Sequence, residues 1–231
     1  PQMDDASPTL LLTRPDVQSR GFLAECEEFL GRRVPVVIAP VMKIVDVGTI
    51  PDLDPFETLI ATSSHAVRRL GVEGGLRGSR MVTVGGVTAE IARKFGAEAE
   101  TLGPDASTFL ENSAAIAPPC LYVRGQHVRL DLASELRRLG VECDEAVVYD
   151  QVAQPLGRAG EALLAGTAPV VAPLFSARTA ELLSRSLDIR APLTVIAMSS
   201  AVAEAWTGVG DITIVAEPTS RAMCKGVAAC F

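Results

Sequence analysis

Six hydroxyl side chains stand in short polar turns that each follow an apolar run and precede a helical pattern: Ser63, Ser64, Thr88, Ser176, Ser199 and Ser200. At the start of a helix the backbone N–H groups are unpaired and the peptide dipole favours negative charge, so such turns can bind an anion through backbone and hydroxyl together. Plain N-capping uses Ser and Thr in the same place and explains any one of them equally well. Several such turns on one side of a sheet are more informative than one. Arg14 and Arg124 end apolar runs at corresponding places in the two halves of the chain, where a guanidinium can make charge-assisted bonds to carboxylates. A surface ion pair is the ordinary alternative for an arginine. The chemistry these residues suggest is recognition of a small polyanion.

Composition limits the other possibilities. The chain has 231 residues, 48% hydrophobic and 21% charged, a globular balance of a size suited to two modest domains. The formal charge is −7 and no block of Lys or Arg occurs, which argues against nucleic acid as a partner. A locally positive pocket on an acidic protein is still compatible with a small anion. Cys26, Cys120, Cys143, Cys224 and Cys230 are odd in number and lack CxxC spacing, so they read as core thiols in a reducing compartment. With only His65 and His127 beside them, no metal is expected, and no dinucleotide fingerprint points to a cofactor. No run approaches the roughly 18 apolar residues of a membrane span, and the opening Pro1-Gln2-Met3-Asp4-Asp5 is acidic where a signal peptide is basic. A cytoplasmic monomer without membrane contact is expected.

Strands and helices alternate along the chain. Residues 9–13 form an apolar run stopped by Arg14-Pro15, residues 19–30 carry apolar side chains at helical spacing up to Gly31, and residues 36–39 are extended again. Residues 59–61 and 81–84 read as buried strands, 65–70 and 88–95 as the helices after them, and 97–102 as an extended run. An internal repeat underlies this pattern. Thr62 aligns with Ser176, Ala66 with Ala180, Ala89 with Ala203, Glu90 with Glu204, Gly96 with Gly210 and Pro104 with Pro218, all at an offset of 114. Leu12 to Pro15 align with Tyr122 to Gly125 at an offset of 110. Two copies of one α/β half imply parallel sheets covered by helices on both faces, with ligands at the carboxyl ends of the strands. Glu90 and Glu204 are expected in the first turn of their helices, where an acid is routine, and are not read as a catalytic pair.

Leu11-Leu12-Thr13-Arg14-Pro15, Ala61-Thr62-Ser63-Ser64-His65-Ala66-Val67 and Val84-Gly85-Gly86-Val87-Thr88-Ala89 resemble the uroporphyrinogen-III synthase family in order and spacing. Val123-Arg124-Gly125 with Arg129 and Leu132, Val147-Val148-Tyr149, Leu174-Phe175-Ser176 and Ala216-Glu217-Pro218-Thr219-Ser220 continue the resemblance from residue 10 to residue 231. It implies two flavodoxin-like α/β domains with parallel sheets joined by a two-stranded linker. On that pattern residues 1–39 and 154–231 form one domain, 41–150 the other, with linkers near 35–45 and 146–154. It further implies a cofactor-free lyase of tetrapyrrole biosynthesis that removes water from hydroxymethylbilane, inverts ring D through a spirocyclic intermediate and closes uroporphyrinogen III. The substrate is a linear tetrapyrrole with eight carboxylates, for which Arg14, Ser63, Ser64, Gly86, Thr88, Arg124, Ser176, Ser199 and Ser200 are the expected binding residues. Tyr149 resembles the family's tyrosine near the leaving group, where a phenol can donate a proton to departing hydroxide.

Two departures from the family pattern stand out. Ser199-Ser200-Ala201-Val202 replaces a turn with Gly, Pro and paired Thr, and His65 replaces an Asn-like position, where a plain polar residue at a helix start is its simplest reading. They keep open an alternative reading, a catalytically weak tetrapyrrole- or polyanion-binding paralogue with a sensing role. No DNA-binding segment is read in the chain, which weighs toward the enzyme.

Overall fold

A computed structural model describes residues 7–128, 130–185 and 188–231. Their order is β1 (Thr9–Leu12), α1 (Asp16–Leu30), β2 (Val36–Ile38), β3 (Met42–Asp46), β4 (Thr58–Ala61), α2 (Ser64–Arg69), β5 (Arg80–Val84), α3 (Gly86–Lys94), β6 (Glu98–Gly103) and α4 (Ala106–Glu111). Then come β7 (Cys120–Gly125), α5 (Leu132–Arg138), β8 (Cys143–Ala153), α6 (Gly157–Leu164), β9 (Val170–Leu174), α7 (Ala177–Ser184), β10 (Leu193–Ala197), α8 (Ser200–Ala205), β11 (Asp211–Ile214) and α9 (Ser220–Ala228).

Two compact units divide the chain. One holds the chain through Lys43 and again from Val152, and the other is Ile44–Gln151. The first has a five-stranded sheet in the order β2-β1-β9-β10-β11, parallel in every pair. In chain order this is 2-1-3-4-5, the flavodoxin arrangement. The second has the order β3-β8-β7-β4-β5-β6, parallel from β8 to β6. Taking β7 and β8 as the first two strands gives the same 2-1-3-4-5 path, circularly permuted, with β3 added at its edge. β3 lies beside β8, with Val47 N–H donating to Val148 O and Gln154 N–H to Val41 O. Partner numbers fall on one strand as they rise on the other, as in an antiparallel pair.

The repeat seen in the sequence is thus the repeat of the fold: β4, β5 and β6 correspond to β9, β10 and β11, and β7 to β1. The central strands of each sheet are buried on both faces, which is why they read as unbroken apolar runs, whereas the edge strands β11 and β6 are largely exposed. In the first unit Leu11, Ala172, Leu174 and Val195 join one core, while Leu10, Leu12, Val171 and Ile196 pack on the other face with Phe22 and Cys26 of α1 and Met223 and Cys224 of α9. In the second, Leu59, Ala61, Leu121 and Val123 face α2 and α3, and Ile60, Val82 and Tyr122 face Phe109 of α4 and Leu136 of α5.

Several helix starts lie earlier than the sequence pattern suggests. Pro15, with φ −48°, lets α1 begin at Asp16 rather than residue 19, and Gly85, with φ +79°, turns the chain so that α3 begins at Gly86 rather than Thr88. Glu90 and Glu204 are in consequence each the fifth residue of α3 and α8, and neither first turn holds an acid. Among the described residues no helix is long and apolar enough to cross a membrane.

Candidate active site

Parallel strands put all their carboxyl ends on one edge of each sheet, and in the 2-1-3-4-5 arrangement the crevice opens where the first and third strands diverge. In the first unit that point lies between β1 and β9. Thr9 and Leu10 pair with Val170 and Val171, and the ladder goes no further. The cause is legible in the chain. Val170 N–H bonds to Pro192 O and Leu174 O accepts from Met198 N–H, so these residues turn to the β10 side. Alternation then turns Pro173 toward β1, where it has no N–H to offer.

At this gap stand Thr13, Arg14 and Phe175. Thr13 is 1% exposed and its Oγ1 has no hydrogen-bond partner among the described residues. The Arg14 guanidinium lies 4.3 Å from the centroid of the Phe175 ring. Burial lowers its pKa, partly offset by the field of Glu25, and among the described residues no carboxylate pairs with it. Ser176 caps α7, accepting from Thr179 N–H at 3.2 Å, and its hydroxyl is 2.8 Å from Thr179 Oγ1. Ser199 caps α8 by accepting from Val202 N–H at 3.4 Å, and exposed Ser200 is the first residue of that helix. Ala201 and Val202 belong to α8, with Val202 buried in the core, so the departure from the family turn there also serves packing.

The second unit's switch point, between β7 and β4, is built differently. The ladder is complete, from Thr58 paired with Cys120 to Ala61 paired with Val123. Beyond it the Tyr122 hydroxyl meets Thr62 Oγ1 at 3.1 Å, and burial raises the Tyr122 pKa. Arg124 is not free: its Nε donates to Glu145 Oε2 at 2.8 Å and its Nη1 to Gly125 O at 3.0 Å. Ser63 caps α2 by accepting from His65 N–H at 3.2 Å, and Ser64 begins the helix. At Ser63 and Ser199 the capping bond is the evident local role. A capping oxygen that accepts still has its own O–H to donate. Gly86 is exposed, and a Cβ there would meet nothing within 4 Å, so packing inside the chain does not require glycine. Thr88 is buried as the third residue of α3, and Arg129 lies outside the described residues.

Tyr149 is set beside this point by a bulge. β7 and β8 pair Arg124 with Val147 but Gly125 with Tyr149, so Val148 is the extra residue. Consecutive residues Val148 and Tyr149 therefore both enter the core under α2 and α3. The carbonyl released at Val148 accepts from Val47 N–H and from Arg69, a buried residue of α2 that also donates to Val47 O and, at 2.8 Å, to Gly48 O. The Tyr149 ring fills the space where a side chain on Gly125 would be: a Cβ there would lie 2.5 Å from Cζ and 2.9 Å from the phenol oxygen. His65 meets the ring at a centroid separation of 5.0 Å and an interplanar angle of 70°, and its Nε2 is 2.9 Å from Asp46 Oδ1.

The structure thus gathers Ser63, Ser64, Arg124 and Tyr149 around one switch point and Arg14 and Ser176 around the other. Gly86 with Thr88, and Ser199 with Ser200, follow the next strand of each sheet, β5 and β10. The sequence reading missed Asp46 and Arg69, since nothing in the order of residues shows that α2 reaches β3, and it missed the part Gly125 takes under Tyr149. Among the described residues no cluster of three His, Cys, Asp or Glu side chains could hold a metal ion.

A pair of flavodoxin-like units, one continuous and permuted and the other assembled from both ends of the chain, with polar strand-end turns on each, defines the class. The profile of uroporphyrinogen-III synthase HemD matches residues 27–225, and the chain belongs to that family. The uroporphyrinogen-III synthetase of Helicobacter pylori superposes with a TM-score of 0.69 over 97% of this chain and 99% of its own at 16% identity, a likeness of fold. A mutant uroporphyrinogen III synthase of Thermus thermophilus aligns at 16% identity with a TM-score of 0.49, covering 96% and 98% of the two chains. No curated protein matches the sequence.

Proposed function

We propose that this chain carries out its family's reaction as a hydro-lyase, releasing water from hydroxymethylbilane and closing the ring with ring D inverted. Tyr149 protonates the departing hydroxyl. The carbon–oxygen bond breaks, the phenol proton leaves in the water, and the carbon left behind becomes the electrophile for closure. Arg14, the hydroxyls of Ser63, Ser64, Thr88, Ser176, Ser199 and Ser200, and the backbone at Gly86 hold acetate and propionate arms, with Arg124 sharing its charge with Glu145. The protein acts as a cytoplasmic monomer, and the two compact units serve as its domains.

The observation that carries this reading is the placement of Tyr149. A bulge aims it, Gly125 makes room for its phenol, and it stands at the strand-end edge where α/β sheets bind ligands. The test supplies freshly formed hydroxymethylbilane and resolves the two ring isomers after oxidation. The expected result is type III product well above the spontaneous type I. Type I alone would overturn the proposal, and a bound but unreacted bilane would indicate the binding paralogue.

A further inference from the structure

We propose that His65, held by Asp46, is a positioning residue for the Tyr149 phenol. The inference deepens the reaction proposed above and rests on it for its kinetic consequence, while the structural claim stands separately. Tyr149 is enclosed on two sides. Gly125 lies against Cε2, Cζ and the oxygen, and the His65 imidazole makes an edge-to-face contact with the ring. Such pairs favour one relative orientation of the two rings.

The imidazole is itself fixed. Its Nε2 bonds to Asp46 on β3 at 2.9 Å, while its backbone N–H is tied to the Ser63 cap. One helical turn further along α2, Arg69 bonds to the Val148 carbonyl next to Tyr149 and to the carbonyls of Val47 and Gly48, which follow β3. Helix α2 therefore grips the same stretch of β8 twice, Arg69 the backbone and His65 the ring. Arg69 is buried with bonds to three carbonyls and to the Glu73 carboxylate, so its loss would disturb the fold. His65 has 31% of its side chain exposed and its cap bond uses only backbone, so its side chain can be removed with the helix intact. A residue placed only to start a helix would need neither the carboxylate nor the tyrosine.

The chain has only two tyrosines, Tyr122 and Tyr149, so ring-labelled tyrosine gives two sets of NMR signals, and Tyr149→Phe assigns them. His65→Ala is expected to move the Tyr149 ring signals and leave those of Tyr122 in place. Asp46→Asn should move them less. In turnover, His65→Ala should lower kcat roughly 3–10-fold with KM little changed, and His65→Phe should recover most of it by restoring an aromatic contact. In the Tyr149→Phe background the same substitution should add less than about 2-fold, because its effect passes through the phenol. Unmoved Tyr149 signals in His65→Ala, or an equal loss of kcat in both backgrounds, would overturn the proposal. If the wild-type chain makes no type III product, the reaction fails, and the NMR comparison still decides whether His65 packs on the ring.

Discussion

The two switch points descend from one repeat, yet they have gone separate ways. In the first unit Pro173 ends the β1–β9 ladder early, and the gap holds a Thr13 hydroxyl and an Arg14 guanidinium that, among the described residues, have no hydrogen-bond partner and no paired carboxylate respectively. In the second the β4–β7 ladder is complete, Arg124 is paired with Glu145, and the space is occupied by tyrosines: Tyr122 tied to Thr62, Tyr149 packed on Gly125 and His65. One end stores unused hydrogen-bonding capacity, which suits an anchor for an anionic arm. The other holds a preorganised phenol, which suits a proton transfer. A duplicated fold can divide binding and chemistry in this way because the same strand-end geometry accepts different side chains without disturbing the core below.

The largest effect expected is that of Tyr149→Phe. If the second switch point supplies the chemistry, loss of the phenolic proton should lower kcat by about 10²–10⁴-fold, with KM changed far less. Initial rates of type III formation over a range of substrate measure both. Unchanged type III kinetics would remove the acid role and leave that end as a mould for the folded bilane.

The arginines come next. Arg14→Ala should raise KM by roughly 10–100-fold, the scale of one hydrogen bond to a charged group, with little change in kcat. Arg124→Ala should do less to KM, because its charge is already shared with Glu145, and part of its effect should appear in thermal unfolding. Equal KM effects from the two substitutions would mean that the contrast between the switch points has no bearing on substrate.

Much of this was legible in the chain. Apolar runs alternating with helical periods gave the α/β class, and the constant offset from Thr62 and Ser176 to Pro104 and Pro218 follows strands that occupy equivalent places in the two sheets. The interruption at Pro173 can be read directly, once the strand carrying it is placed third in its sheet. What was not legible depends on contacts between distant segments. Arg14 and Arg124 look alike in sequence, and only the register of β7 against β8 shows that Glu145 occupies one of them. The bulge at Val148 leaves no mark in Val147-Val148-Tyr149, yet it decides which way the phenol faces. His65 looked like a helix-start residue because its other partners, Asp46 and Tyr149, come from strands on either side of it in the chain.

Thr13→Val should give the smallest effect, and one of mixed sign. The hydroxyl is buried at the open end of the β1–β9 ladder and makes no hydrogen bond among the described residues. Leaving a buried polar group unpaired costs about 1–3 kcal/mol, and a methyl of similar size removes that cost. The variant should therefore be more stable than wild type, by about 1 kcal/mol if part of the gain is lost to imperfect packing, which chemical denaturation with an unchanged m-value would show. If the hydroxyl is kept at that cost because it donates to an arm of the substrate, the same change should raise KM a few-fold, the scale of one neutral donor of modest strength. Greater stability with unchanged KM would leave anchoring at this switch point to Arg14 and Ser176. Lower stability would mean that the hydroxyl is satisfied within the folded protein, and the first switch point would then hold less unused capacity than its geometry indicates.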